Sequence, residues 1–178
     1  MWTSLIGFMG SGKSTLTRRL QASTRRPAVS LDDEVEALAG MPIPGIFQDG
    51  GEGAFRELEL RALNTLDPDR NLVVDTGGGI VHTPAACELL RTRGVVLWLD
   101  LPWEVLLRRL RNSDPGTRPL IGRLGWAGVE ELYRRRRPLY AGTADFRLRG
   151  ESLEADGLAR TAMLRSLVWE RRRESGRS

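Results

Sequence analysis

Residues 7–14 read Gly-Phe-Met-Gly-Ser-Gly-Lys-Ser, between an apolar run at residues 2–6 and a segment that carries Leu16 and Leu20 at helical spacing. The eight residues fit G-x-x-x-x-G-K-[ST] without a gap, and the flanks are the strand and helix this pattern requires. A buried strand must run straight into a tight glycine turn and on into a helix. Backbone amides then point inward, and the helix N-terminus adds its positive end. Such a turn cradles phosphate oxygens. Gly10, Ser11, Gly12, Lys13, Ser14 and Thr15 are therefore the candidate nucleotide-binding residues. Lys13 is expected to reach the β- and γ-phosphates of ATP, and the Ser14 hydroxyl is a candidate Mg²⁺ ligand.

Composition sharpens one of these residues. Lys and Arg total 27 against 23 Asp and Glu, for a net charge of +4 and a pI near 10.1. Lys13 is the only lysine. A basic chain invites a nucleic-acid or membrane reading, but the acids are numerous and interspersed, and most arginines read as solvated positions. Where arginine serves everywhere else, one lysine marks a place that needs a compact ammonium rather than a planar fork. A single cysteine, Cys87, forms no intrachain disulfide and suits a reducing compartment. No apolar run approaches the roughly 20 residues of a membrane helix, and no signal peptide is visible. A cytoplasmic chain without membrane or nucleic-acid partners is expected.

Strand and helix patterns alternate along the whole chain. Strands are expected at residues 2–6, 27–31, 71–75, 95–99 and 145–148. Helices are expected at about 15–22, 32–38, 51–65, 84–93, 102–111, 130–140 and 153–171, with a frayed end. The alternation predicts an α/β fold: a five-stranded parallel sheet flanked by helices on both faces, in three layers, as a single domain over 1–178. Ligands bind beyond the carboxyl ends of such strands. The stretch 112–128, rich in Gly, Pro and Asn and studded with arginine, is long for a connection and reads as a lid. The base-reading N-K-x-D of GTPases is absent, and the small size with a lid points to a small-molecule kinase.

Further along lie Asp32, just past the second strand; Gly51-Glu52-Gly53-Ala54-Phe55-Arg56-Glu57-Leu58-Glu59; Thr76-Gly77-Gly78-Gly79 at the third strand's end; Arg118-Pro119-Leu120 in the lid; and Arg136 ahead of Pro138-Leu139-Tyr140. With these motifs, in this order from the glycine-rich turn to Tyr140, the chain resembles the shikimate kinases. The resemblance implies a P-loop kinase fold and phosphorylation by ATP and Mg²⁺ of the 3-hydroxyl of shikimate, within aromatic amino acid biosynthesis, by a monomer. It implies that Arg56 and Arg136 clamp the substrate carboxylate, as bidentate forks suit, that about 32–60 forms much of the substrate region, and that Gly78 and Gly79 offer backbone to the substrate. Asp32 then orients the attacking hydroxyl and is the candidate general base. Arg118 covers the phosphates and neutralises developing charge. Arg111 corresponds to a nucleotide-side arginine, with Arg108 and Arg109 in competition. Glu59 positions an arginine. His82 reads as a surface residue and Cys87 as helix packing, neither with assigned chemistry; Trp98 and Trp103 read as core.

Two departures stand out. The family carries an acid two residues before Asp32, where this chain has Ser30, and it commonly has a small or neutral residue where this chain has Asp75. One reading has Asp75 taking over part of the metal-side role; the other has it capping a strand-end turn. Secondly, Arg147-Leu148-Arg149-Gly150-Glu151-Ser152 lacks the proline-containing adenine loop often seen there. The rivals to shikimate phosphorylation are a related kinase for another hydroxy acid such as gluconate, a catalytically impaired binding protein, and a nucleic-acid-binding ATPase supported by pI alone.

Overall fold

A computed structural model of the chain describes residues 1–112, 119–150 and 155–175. The two most apolar runs sit at its centre. β1 (Trp2–Ile6) and β4 (Gly94–Asp100) are buried at every residue, and they pair in parallel from Trp2↔Gly94 to Ile6↔Trp98. β3 (Val73–Asp75) lies on the other side of β1, β2 (Ala28–Ser30) lies beyond β3, and β5 (Phe146–Arg149) flanks β4. The order is β2-β3-β1-β4-β5, all parallel. A parallel sheet with apolar strands must be covered on both faces. The helices α1 (Lys13–Thr24), α2 (Leu31–Ala39), α3 (Ile43–Thr65), α4 (Pro84–Arg93), α5 (Trp103–Arg111), α6 (Pro119–Thr143) and α7 (Ala155–Ser175) do this, giving the expected three-layer α/β architecture. The core is one connected hydrophobic cluster. Truncating a fully buried member such as Leu97→Ala is expected to cost about 2–5 kcal/mol.

Three of the boundaries that differ from the sequence reading bear on the site. The expected strand 27–31 is shorter, because Ser30 ends β2 and at once caps α2, its Oγ accepting from Asp33 N at 3.3 Å. Helix α3 begins at Ile43 rather than near 51, and its two parts meet at Gly51, where φ is 68°. The earlier part is helical because Pro44 suits a first turn and Ile46 and Phe47 have somewhere to pack, Phe47 stacking on Phe55 at 4.8 Å. Most consequential, the stretch read as a loop over 112–128 is helical from Pro119, with a break at Gly125 (φ 63°), so α6 starts far ahead of the expected 130. Trp98 and Trp103 are packed on Tyr140 and Tyr133 at 5.9 and 5.6 Å, in line with their reading as core. Among the described residues no helix is long and apolar enough to cross a membrane.

Candidate active site

The carboxyl ends of β1, β2 and β3 converge on a cavity of about 640 Å³. Its floor is the glycine turn after β1. Gly12 stands at φ 98°, a left-handed conformation that favours glycine, and serves as the N-cap of α1 without any side-chain cap. Gly12 offers the first amides of that helix no side-chain cap, and residues 10–15 line the cavity. This arrangement suits a chain of phosphates. Lys13 Nζ donates to Gly7 O at 3.0 Å across the turn. Arg109 braces the turn from α5, its Nη1 donating to Ser11 O at 3.1 Å.

Two carboxylates face Lys13. Asp32, in the first turn of α2, is pushed up from its ordinary pKa by burial, with Lys13 pulling it back down. Asp75, the last residue of β3, is likewise raised by burial and lowered by Lys13 and by a hydrogen bond from Ser14. Ser30 and Asp75 are register partners on adjacent strands, and both line the cavity. The carboxylate missing at Ser30 thus has a neighbour one strand over that is hydrogen-bonded to Ser14. Ser14 and Asp75 form a hard oxygen donor pair suited to Mg²⁺ or its water shell.

The triple glycine starts where Thr76 Oγ1 ties the end of β3 to Leu5 O at 2.8 Å. A side chain at Gly77 would meet Glu59 and Asp32, and one at Gly79 would overlap the Arg56 guanidinium. These glycines let α3 press its charged residues against the strand ends. Arg56 is ion-paired to buried Glu59 and, at 3.0 Å, to Glu52. The local pairing on its own helix and the placement at the triple glycine therefore occur together. Arg136, on α6, is 6% exposed. Its Nη1 donates to Gly78 O at 3.3 Å, and its Nε donates to His82 Nε2 at 3.0 Å. Tyr140, one turn on, donates its hydroxyl to the same Gly78 carbonyl.

The structure thus brings Lys13, Ser14, Asp32, Asp75 and Gly78 together around one cavity. Gly79, Arg56 and Arg136 are not among its lining residues; they adjoin it at the triple glycine, Arg56 beside Gly79 and Arg136 on Gly78. Arg118 lies outside the described residues. Arg111 does not line the cavity; it is exposed and stands over the Trp126 ring at 5.5 Å, whereas Arg109 is at the phosphate turn. On an amphipathic helix, residues two apart face different ways, so Arg109 and Arg111 do not meet the phosphate turn together. Sequence reasoning left His82 without a task; nothing in its local pattern signals that α6 will lay an arginine on it.

A family model described as shikimate kinase matches residues 9–165. The chain belongs to the shikimate kinase family. It is 39% identical over 147 residues to the shikimate kinase of Aquifex aeolicus (strain VF5), covering 83% of this chain and 85% of that protein. It is 42% identical over 156 residues to that of Prochlorococcus marinus (strain MIT 9313), covering 87% and 80%. Among solved structures, the shikimate kinase from Acinetobacter baumannii in complex with shikimate superposes with a TM-score of 0.83 at 33% identity, covering 94% of this chain and 93% of that one. Membership in this shikimate kinase family makes the chain an ATP-dependent small-molecule kinase of P-loop architecture.

Proposed function

We propose that the chain transfers the γ-phosphoryl group of ATP to the 3-hydroxyl of shikimate. The observation that carries this reading is the pairing, at one cavity, of a phosphate cradle with two arginines, Arg56 and Arg136, brought to a triple glycine. A carboxylate is the complement of that arginine pair, and the family match supplies shikimate as the acid. Every residue in this reading comes from one chain, so a monomer suffices.

Residues 10–15 hold the phosphates through backbone amides, and Lys13 supplies a point charge to the β- and γ-phosphates. Ser14 and Asp75 would hold Mg²⁺, which would neutralise charge on the phosphates. Arg56 and Arg136 bind the substrate carboxylate, and the glycine backbone at 78 and 79 leaves room for the ring. Asp32 orients the 3-hydroxyl and takes its proton as the oxygen–phosphorus bond forms and the bond to ADP breaks. Its burial helps here: a carboxylate held above its ordinary pKa is a stronger base. Arg109 steadies the turn from the nucleotide side, and Arg118 is assigned to the phosphates through the family motif alone.

The test is ADP release measured with a panel of acceptors. Release that depends on shikimate supports the reading. Release with gluconate alone, or with DNA alone, would overturn it, and no release with any acceptor would favour the impaired binding protein that Ser30 suggests.

A further inference from the structure

His82 is the chain's single histidine, and phosphoryl transfer leaves it without a role. It ends the short 3₁₀ turn Ile80–His82 that follows the triple glycine, a turn closed by bonds from His82 N to Gly79 O and from Thr83 N to Ile80 O, each 3.0 Å. Its Nε2 lies 3.0 Å from Arg136 Nε. A guanidinium has no lone pair to offer, so the arginine must donate and the imidazole must accept. That contact assigns the proton: Nε2 is bare, Nδ1 carries the hydrogen, and the ring is neutral. The second restraint on the same guanidinium, Nη1 to Gly78 O at 3.3 Å, comes from the same segment. Two bonds at different nitrogens fix the plane of a flat group, where either one alone would let it swivel.

We propose that His82, through its unprotonated Nε2, is a positioning residue that aims Arg136 at the substrate carboxylate, and that protonation of His82 uncouples the two and weakens binding of the carboxylate substrate. This rests on the reading of Arg136 as part of the carboxylate clamp.

The surroundings bear on the direction of the effect. From α6, His82 faces Arg136, with Tyr140 hydrogen-bonded to the neighbouring Gly78; from α3 it faces Arg56 and Glu52. From α4, Cys87 donates its thiol to Ile80 O in the same turn. Two cations oppose a third, and one exposed carboxylate on Glu52 favours it. His82 is an exposed residue, and the partial desolvation of its ring, then Arg136 and Arg56, accordingly hold it below the ordinary histidine pKa. The neutral, accepting ring is the form at neutral pH. On acidification the ring gains a proton, loses its lone pair and becomes a cation against a cation.

The experiment is steady-state kinetics of the full chain with shikimate varied at saturating ATP, from about pH 5.5 to 8.5, a window that spans histidine titration while the substrate carboxylate stays ionised. In His82→Ala the KM for shikimate rises about tenfold at neutral pH, the worth of one hydrogen bond to a charged group, while kcat and the KM for ATP stay within about twofold. His82→Gln offers an amide oxygen to the same N–H and does not titrate, so it recovers most of the affinity. It also loses the rise in KM that the unsubstituted chain shows on the acid side. An unchanged KM in His82→Ala, or the same acid-side rise in His82→Gln, would overturn the inference; if the alanine variant fails to fold, the glutamine profile decides. Arg136→Met separates the two levels. A shikimate KM unaltered by that change would overturn the clamp and this inference with it. A raised KM there, with both His82 variants behaving as the unsubstituted chain, would overturn this inference alone.

Discussion

The two ends of the cavity are built by different means. The phosphate end is one contiguous run of eight residues whose functional groups are largely backbone amides, presented by a turn that local glycine conformations produce. The acceptor end is gathered from α2, α3, the triple glycine and α6. It consists of side chains that hold one another, such as Arg136 to partners 54 and 58 residues away. A backbone-built site forms wherever strand, turn and helix form. A side-chain-built site exists only once several helices have docked. Substitutions at the first end should therefore strike turnover, and substitutions of the arginines at the second should strike substrate affinity.

The sharpest way to break this contrast is Lys13→Ala. It removes the point charge at the transferring phosphoryl group and is expected to lower kcat by about a thousandfold, with circular-dichroism melting little altered; turnover within tenfold of the parent would contradict it. Asp32→Asn comes next, with kcat reduced about a hundredfold. Asp32 works ionised, and burial raises its pKa, so kcat of the parent falls as the pH drops through a value above the ordinary 3.8. A pH–rate profile should lose that acid limb in the asparagine variant. Arg136→Met should leave kcat nearly intact and raise the KM for shikimate about fiftyfold, the scale of a charge-assisted pair. A loss in kcat as large as that of Lys13→Ala would erase the distinction between the ends.

Asp75 sharpens the comparison at the boundary between the two ends. Asp75→Asn should raise the Mg²⁺ concentration for half-maximal turnover about fivefold, because an oxygen donor loses its charge; an unchanged Mg²⁺ titration would reduce Asp75 to a turn cap. The smallest effect is on stability. A carboxyl whose pKa is raised by folding binds its proton more tightly when folded, so its contribution diminishes as pH rises through the interval above the unfolded value. At neutral pH without nucleotide, Asp75→Asn should therefore melt about 3 °C higher by scanning calorimetry. A lower melting temperature would show that the Ser14 bond outweighs the burial of the charge.

Much of the fold was readable along the chain. The apolar runs at β1 and β4 are continuous because both their faces are covered, and the alternation of strands with helices carried the parallel sheet. The two misread helix starts share a cause. Ile43 to Gly50 and Pro119 to Leu124 are rich in residues that disfavour helix in isolation, and tertiary contacts such as Phe47 on Phe55 overrode that propensity. The run Arg134–Arg137 makes the same point at single-residue scale. Arg134 and Arg135 pair with Glu130 and Glu131 on the exposed face, Arg137 joins Arg147 on buried Asp100, and Arg136 alone turns into the site. Their identities are equal; only helix phase and what packs against it separate them.

The sequence by itself determined the phosphate cradle, down to the one lysine, because that chemistry is local: a short backbone path specifies the positions of its own amides. It determined the sheet for a related reason, since burial on both faces writes itself into unbroken apolar runs. Only the tertiary structure decided that Arg109 rather than Arg111 meets the phosphate turn, that Asp75 stands one strand from Ser30 beside Ser14, and that His82 accepts from Arg136. Each of these depends on the rotation of one element against another, and no spacing within either segment carries that angle.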